Sequence, residues 1–177
     1  MHTDAHEWPG DDTLRAIELL VLDFDGVLTD NRVWVDQDGR ESVACSRGDG
    51  MGMQLLVKAG VSVYVMSKER NPVVRARCDK LGIPFQQGQD DKGAAIGALA
   101  DERAVALKRV AYVGNDVNDL APMARVGLPI AVADAEPLVL EAARVITNKP
   151  GGRGAVREVC DALMRARGAD PAELIKP

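Results

Sequence analysis

The chain has 177 residues, a length that gives one domain rather than two. Hydrophobic residues make up 46% and charged residues 28%, which excludes disordered and fibrous classes, and the formal net charge of −5 argues against a nucleic-acid binder, whose phosphate contacts need a basic face. No apolar stretch approaches the roughly 20 residues of a membrane span, residues 1–12 are acidic and lack the apolar centre of a signal peptide, and Cys45, Cys78 and Cys160 are odd in number and far apart, so a cytoplasmic location with free thiols is expected.

Apolar runs alternate with helical patterns, which predicts an α/β domain, a Rossmann-like three-layer α/β/α arrangement with a mostly parallel sheet. One domain is expected over residues 14–167, between a mobile N-terminal segment (1–13) and a C-terminal tail (168–177). Residues 19–24 form a continuous apolar run, suited to a strand buried on both faces. Residues 33–35 and 42–44 flank Asp36-Gln37-Asp38-Gly39 and read as a small β-hairpin flap. A helix is predicted over 50–59, with Gly60 as its stop, then a core strand over 61–66. Asn71-Pro72 starts the next helix, which ends at Leu81-Gly82. A short strand near 84–86 and a helix over 91–102 follow. Strands are predicted over 109–113, 128–133 and 144–147, with a short helix after the first and a helix opened by Glu136-Pro137 before the last. The final helix, 154–167, carries Val156, Val159, Cys160, Leu163 and Met164 on one stripe.

The strongest chemical signal is Asp23-Phe24-Asp25-Gly26-Val27-Leu28-Thr29-Asp30, at the carboxyl end of the first strand. Ligands of open α/β sheets bind beyond the carboxyl ends of the strands. Two carboxylates brought together there are costly without a cation or a shared proton. Further polar residues recur at other strand ends. Ser67 closes the strand over 61–66, Lys92 opens a helix, and Gly114-Asn115-Asp116-Val117-Asn118-Asp119 follows the strand over 109–113.

In this order the pieces resemble the four-motif signature of the haloacid-dehalogenase superfamily of aspartyl-phosphate hydrolases. The resemblance spans nearly the whole chain. It implies that Asp23 attacks phosphorus and that Asp25 serves as general acid and then general base. It also implies a Mg2+ ion held by the Asp23 carboxylate, the Asp25 main-chain carbonyl and the Asp116 carboxylate, with Asp119 in support. Ser67 and Lys92 are expected to bind the phosphoryl group. An acid at Asp25 points to a phosphomonoester hydrolase rather than a dehalogenase, because an alkoxide leaves poorly.

Neither segment 26–66 nor segment 68–91 has room for a separate cap domain, so the chain looks like a capless member. In capless sugar-acid phosphatases a neighbouring subunit covers the open site, and the flap helps build a tetramer. A homotetramer is therefore expected, with Trp34 on the flap as a candidate anchor. Pro150-Gly151-Gly152-Arg153-Gly154-Ala155-Val156-Arg157-Glu158 narrows the resemblance. It is similar to a segment of 3-deoxy-octulosonate 8-phosphate phosphatases, nonulosonate 9-phosphate phosphatases and the C-terminal domains of acylneuraminate cytidylyltransferases. Arg153 could hold a substrate carboxylate there. Ser67-Lys68-Glu69 followed by Asn71 resembles the nonulosonate group, in which Glu69, Arg77 and Lys80 match positions associated with the sugar acid; Arg77 and Lys80, i and i+3 on one helix face, are expected to reach a neighbour's site rather than their own. The expected substrate is thus a nonulosonate 9-phosphate. The alternatives are the octulosonate 8-phosphate, or a regulatory or assembly domain akin to the cytidylyltransferase tail.

Overall fold

The computed structural model describes residues 7–176. Six parallel strands form one sheet: β1 (Leu19–Leu22), β4 (Ser62–Met66), β5 (Phe85–Gln86), β6 (Val110–Gly114), β7 (Leu128–Ala131) and β8 (Val145–Ile146). Their order is β5-β4-β1-β6-β7-β8. Every residue of β1 and of β6 is buried. That accounts for their unbroken apolar sequence, since helices cover a parallel sheet on both faces.

The helices are α1 (Asp11–Arg15), α2 (Arg47–Lys58), α3 (Val73–Leu81), α4 (Lys92–Glu102), α5 (Leu120–Met123), α6 (Pro137–Ala142), α7 (Ala155–Ala166) and α8 (Pro171–Leu174). Helix α7 packs on both α1 and α2, and α5 packs on both α4 and α6. The antiparallel ribbon of β2 (Thr29–Val35) and β3 (Glu41–Cys45) stands apart from the main sheet as the flap. No cap domain is present among the described residues.

The chain moves outward from β1 to β4 and β5 on one side, then returns to lay β6, β7 and β8 on the other. This reversal opens a crevice at the carboxyl ends of β1, β4 and β6, the usual ligand position in such sheets.

Several elements differ from the sequence expectation. The first strand ends at Leu22, so Asp23 lies just past it, although Asp23 N–H still donates to the Val113 carbonyl at 3.0 Å. Helix α2 begins at Arg47 rather than residue 50, because Ser46 Oγ accepts from Asp49 N–H at 3.2 Å and caps it. The flap strands are longer than the apolar runs that announced them. The expected domain limits also cut off two packed pieces. Helix α1 starts at Asp11 and buries Leu14, and Trp8 packs on the core. At the other end Leu174 packs on the core, and Lys58 Nζ donates to its carbonyl at 2.9 Å. The remainder of the expected mobile segment, residues 1–6, lies outside the described residues. Among the described residues no helix is long and apolar enough to cross a membrane.

Candidate active site

The loop that follows β1 is built around Thr29. Its Oγ1 accepts from Gly26 N–H at 3.1 Å and from Asn31 N–H at 3.3 Å. Gly26 has a φ of 81°, and a Cβ there would stand 2.0 Å from Asn115 Nδ2. Only glycine satisfies both the backbone angle and the contact. The turn brings Asp23 and Asp25 over the carboxyl ends of β1 and β6.

A cleft of about 90 Å³ lies there, lined by Asp23, Asp25, Asn31, Ser67, Lys68, Glu69, Asn115, Asp116 and Asn118. The ends of three strands, β1, β4 and β6, together with Asn31 of the flap, supply its walls. Ser67 is buried at the end of β4, and its Oγ accepts from Glu69 N–H at 3.0 Å. That leaves the Ser67 hydroxyl proton free to be given away. Asp116 caps the short turn at Val117–Asp119 by accepting from Val117 N–H at 2.6 Å.

Behind the cleft lies a buried charge relay. Lys92 Nζ stands 2.8 Å from Asp23 Oδ1 and 2.8 Å from Asp119 Oδ1. Tyr112 OH donates to Asp119 Oδ1 at 2.7 Å, and Asn115 N–H to Asp119 Oδ2 at 2.9 Å. Lys92 is only 3% exposed, so it is no solvated helix-start lysine. Burial pulls its ammonium toward the neutral form, but the Asp23 and Asp119 charges prevail and raise its pKa. Asp119 is thus a partner of Lys92 and of backbone amides, set back from the cleft wall.

Burial pushes the Asp23 carboxyl well up, and the Asp119 charge pushes the same way, while Lys92 opposes both. Burial, with help from Glu69, pushes Asp25 up to about 6. Two carboxyls that resist ionisation side by side mark a place that lacks positive charge. The available donors are all hard oxygens: the carboxylates of Asp23 and Asp116 and the carbonyl of Asp25. Asn115 Oδ1 beside them is buried without a hydrogen-bond partner. Among the described residues no three Asp, Glu, His or Cys side chains gather as a metal cluster. This donor set still suits Mg2+, which is commonly held by one or two carboxylates with phosphate and water completing the shell.

These shifts have a consequence for stability. A carboxyl raised in the folded state favours folding while it is protonated, and that contribution is lost as pH rises through the folded pKa. For Asp25 the loss falls between about pH 4 and pH 7. In chelator, Asp25→Asn should gain melting temperature over wild type as pH is raised across that window, by a few degrees. A constant difference from pH 4.5 to 8 would contradict it.

Other expected residues lie elsewhere. Glu69 reaches the cleft mouth, but its Oε1 accepts from the N–H groups of Arg70 (2.6 Å) and Asn71 (2.8 Å), which ties it to the loop. Arg77 and Lys80 are not in the cleft of their own subunit. They line a separate groove between β3 and α3 with Glu41, Cys45 and Arg47, and Arg77 Nη2 donates to the Ser46 carbonyl at 3.0 Å. Arg153 stands 3.7 Å from Asp30 Oδ2 and is largely exposed. Sequence reasoning missed Asn31. It has a φ of 61°, which Asn tolerates better than most residues, and it borders both the cleft and a 300 Å³ groove under the flap. Its one sequence signal is an Asx residue just after the motif.

The fold and the strand-end carboxylates define a haloacid dehalogenase-like hydrolase, and the family model of that description matches residues 83–158. The 3-deoxy-D-manno-octulosonate 8-phosphate phosphatase KdsC of Escherichia coli K12 is 42% identical over 153 residues, covering 86% of this chain and 81% of the relative. A structure of the Yersinia pestis 3-deoxy-D-manno-octulosonate 8-phosphate phosphatase superposes with a TM-score of 0.86 at 38% identity, over 95% of this chain and 92% of that one. That of the Moraxella catarrhalis phosphatase, in complex with magnesium ion, phosphate ion and KDO, gives a TM-score of 0.85 at 33% identity, over 88% and 90% of the two chains. The chain belongs to the haloacid dehalogenase-like hydrolases, and within them it is a phosphatase of the capless sugar-acid group.

Proposed function

We propose that this protein hydrolyses the phosphate ester of a 3-deoxy sugar acid, and that the substrate is 3-deoxy-octulosonate 8-phosphate. The observation that carries the reaction is the single small cleft walled by Asp23, Asp25, Ser67 and Asp116, with Lys92 at its back. A carboxylate oxygen of Asp23 attacks phosphorus, and the bond from phosphorus to the ester oxygen breaks. Asp25 gives its proton to that departing oxygen. Its pKa near 6 keeps a useful fraction protonated around neutrality. In the second step Asp25 takes a proton from water, the water oxygen bonds to phosphorus, and the acyl phosphate opens to free Asp23 and inorganic phosphate.

Ser67 donates a hydrogen bond to a phosphoryl oxygen, and Lys92 offsets the negative charge of Asp23 and phosphate. Asp119 holds Lys92 in place and keeps it charged. Mg2+, held by Asp23, Asp116 and the Asp25 carbonyl, would supply the positive charge that lets Asp23 ionise and phosphate approach.

The octulosonate is favoured over the nonulosonate that the Ser-Lys-Glu segment suggested. The relatives named above act on the former by name. Glu69 lines the cleft with one carboxylate oxygen engaged by its own loop, and Arg77 and Lys80 lie outside their own cleft, as expected of residues that serve a neighbour's site, so the preference rests on the relatives. Assembly into a homotetramer is part of this proposal. Val33, Trp34 and Val35 on the flap are 51%, 71% and 61% exposed, apolar side chains on both faces of the ribbon that neighbours would cover. The test is phosphate release with Mg2+ across octulosonate 8-phosphate, nonulosonate 9-phosphate and a simple aryl phosphate, with sedimentation of the active species. The octulosonate should give the highest kcat/KM by at least tenfold, in a species four chains in mass. Higher kcat/KM for the nonulosonate would overturn the substrate, and a fully active monomer would overturn the assembly.

A further inference from the structure

Asp49 is a buried carboxylate with no part in the reaction above. It sits in the first turn of α2, is 1% exposed and does not border the phosphate cleft. Its two oxygens face the start of α7. Oδ1 accepts from Arg157 N–H at 2.8 Å, and Oδ2 from Gly154 N–H at 3.3 Å. Gly154, at the cap position of α7, has a φ of 105° and no side chain with which to cap. Asp49 therefore supplies, from a distant part of the chain, the oxygen that a Ser or Asp at the cap would normally give. Its charge also meets the positive end of the α7 dipole.

The segment leading into α7 lies directly on the loop that carries Asp25. Gly152 N–H donates to the Val27 carbonyl at 2.9 Å. A Cβ on Gly151 would stand 1.7 Å from the Gly26 carbonyl oxygen, and one on Gly152 would stand 2.4 Å from Thr29 C and from Asp30 N. Backbone meets backbone here with no side chain between, so a small shift of one segment displaces the other. On the far side, a Cβ on Gly52 would stand 2.8 Å from Arg157 Cδ and 3.3 Å from Arg157 Cα, so α2 and α7 also pack closely beside Asp49. A continuous contact thus runs from Asp49 through the start of α7 and residues 151–152 to Val27 and Gly26, next to Asp25.

We propose that Asp49 is a positioning residue for the active site: by capping α7 it presses the 150–154 segment against the loop after β1 and fixes the carbonyl and carboxyl of Asp25. This rests on the role given to Asp25 above, but the brace itself can be tested without catalysis.

The variants are Asp49→Ala, Asp49→Asn and, as a control, Val159→Ala, which opens a cavity in the α7 core without touching the chain of contacts. All are measured well below their melting temperatures. In Asp49→Ala, amide exchange across residues 24–31 should accelerate at least tenfold. Its Mg2+ dissociation constant by calorimetry should rise about three- to tenfold, and kcat on an aryl phosphate should fall about tenfold with KM within twofold. Asp49→Asn keeps an acceptor for Arg157 N–H and should recover most of each effect. Val159→Ala should lower the melting temperature yet leave exchange at 24–31, Mg2+ binding and kcat as in wild type. If Asp49→Ala does not fold, Asp49→Ser takes its place with the same expectations. Overlap of the Asp49 variant with Val159→Ala in exchange and Mg2+ affinity would overturn the proposal. A wild type inert on every phosphate ester would instead sink the reading of Asp25 and leave the exchange result to judge the brace.

Discussion

Asp23→Asn should abolish phosphatase activity, by roughly 10³-fold or more, as removal of a nucleophile does. The substitution keeps the shape of the side chain but replaces the anionic carboxylate that attacks phosphorus with a neutral, weakly nucleophilic amide. It also takes a carboxylate from the Mg2+ donor set, so metal affinity should fall with turnover. The fold should survive. Asp23 is a carboxyl that burial holds against ionisation, and Lys92 keeps its second partner, Asp119, at 2.8 Å. The check combines steady-state turnover with a melting curve in chelator at pH 8, where the variant should be at least as stable as wild type. Turnover within tenfold of wild type would remove Asp23 from the mechanism.

Lys92→Met should have the largest effect on stability. The lysine is 3% exposed and stands between two buried carboxylates, Asp23 and Asp119. Removing one partner of a buried ionic set leaves uncompensated charge and costs about 3–5 kcal/mol. At this chain length that is roughly 6–20 °C in melting temperature. The loss should be smaller at pH 5 than at pH 8, because a proton can replace the missing cation. Calorimetry of the metal-free protein at both pH values decides it. A melting temperature within about 2 °C of wild type at pH 8 would show that the cluster contributes nothing to the fold.

The parts of this molecule legible in its sequence are those that physics writes locally. The apolar runs of β1, β4 and β6 announce strands covered on both faces, and the order of Asp23, Asp25, Ser67, Lys92 and Asp116 along the chain places them at the carboxyl end of one sheet. The start of α2 was hidden. Arg47-Gly48-Asp49-Gly50-Met51-Gly52 is poor helix sequence by propensity. Its glycines at 50 and 52 are there for contact, against Leu81 and Arg77 on one side and Arg157 on the other. Taken alone Lys92 would read as a solvated lysine at a helix start; its place in the order of motifs assigns it to the phosphoryl group, and packing adds that it is buried. The substrate residues were least legible. Where Glu69 and Arg77 point depends on which backbone groups capture them, Arg70 and Asn71 N–H in one case and the Ser46 carbonyl in the other, and neither partner is written in the residue itself.

Among the described residues the flap of β2 and β3 pairs with no third strand. A two-stranded ribbon alone is marginal in water. Within this chain it rests on α3, whose side of the contact is formed by residues such as Val73 and Arg77. The amides of β2 and β3 should therefore belong to the lowest rung of the protein's ladder of local openings, far below those of β1 and β6. The groove beside the phosphate cleft, which Asp25, Asn31 and Glu69 also border, is walled on one side by that ribbon, through Val33, Glu41 and Val43. The carboxylates at the ends of β1 and β6 should thus stand on slowly exchanging backbone, while the groove beside them has one wall that opens readily.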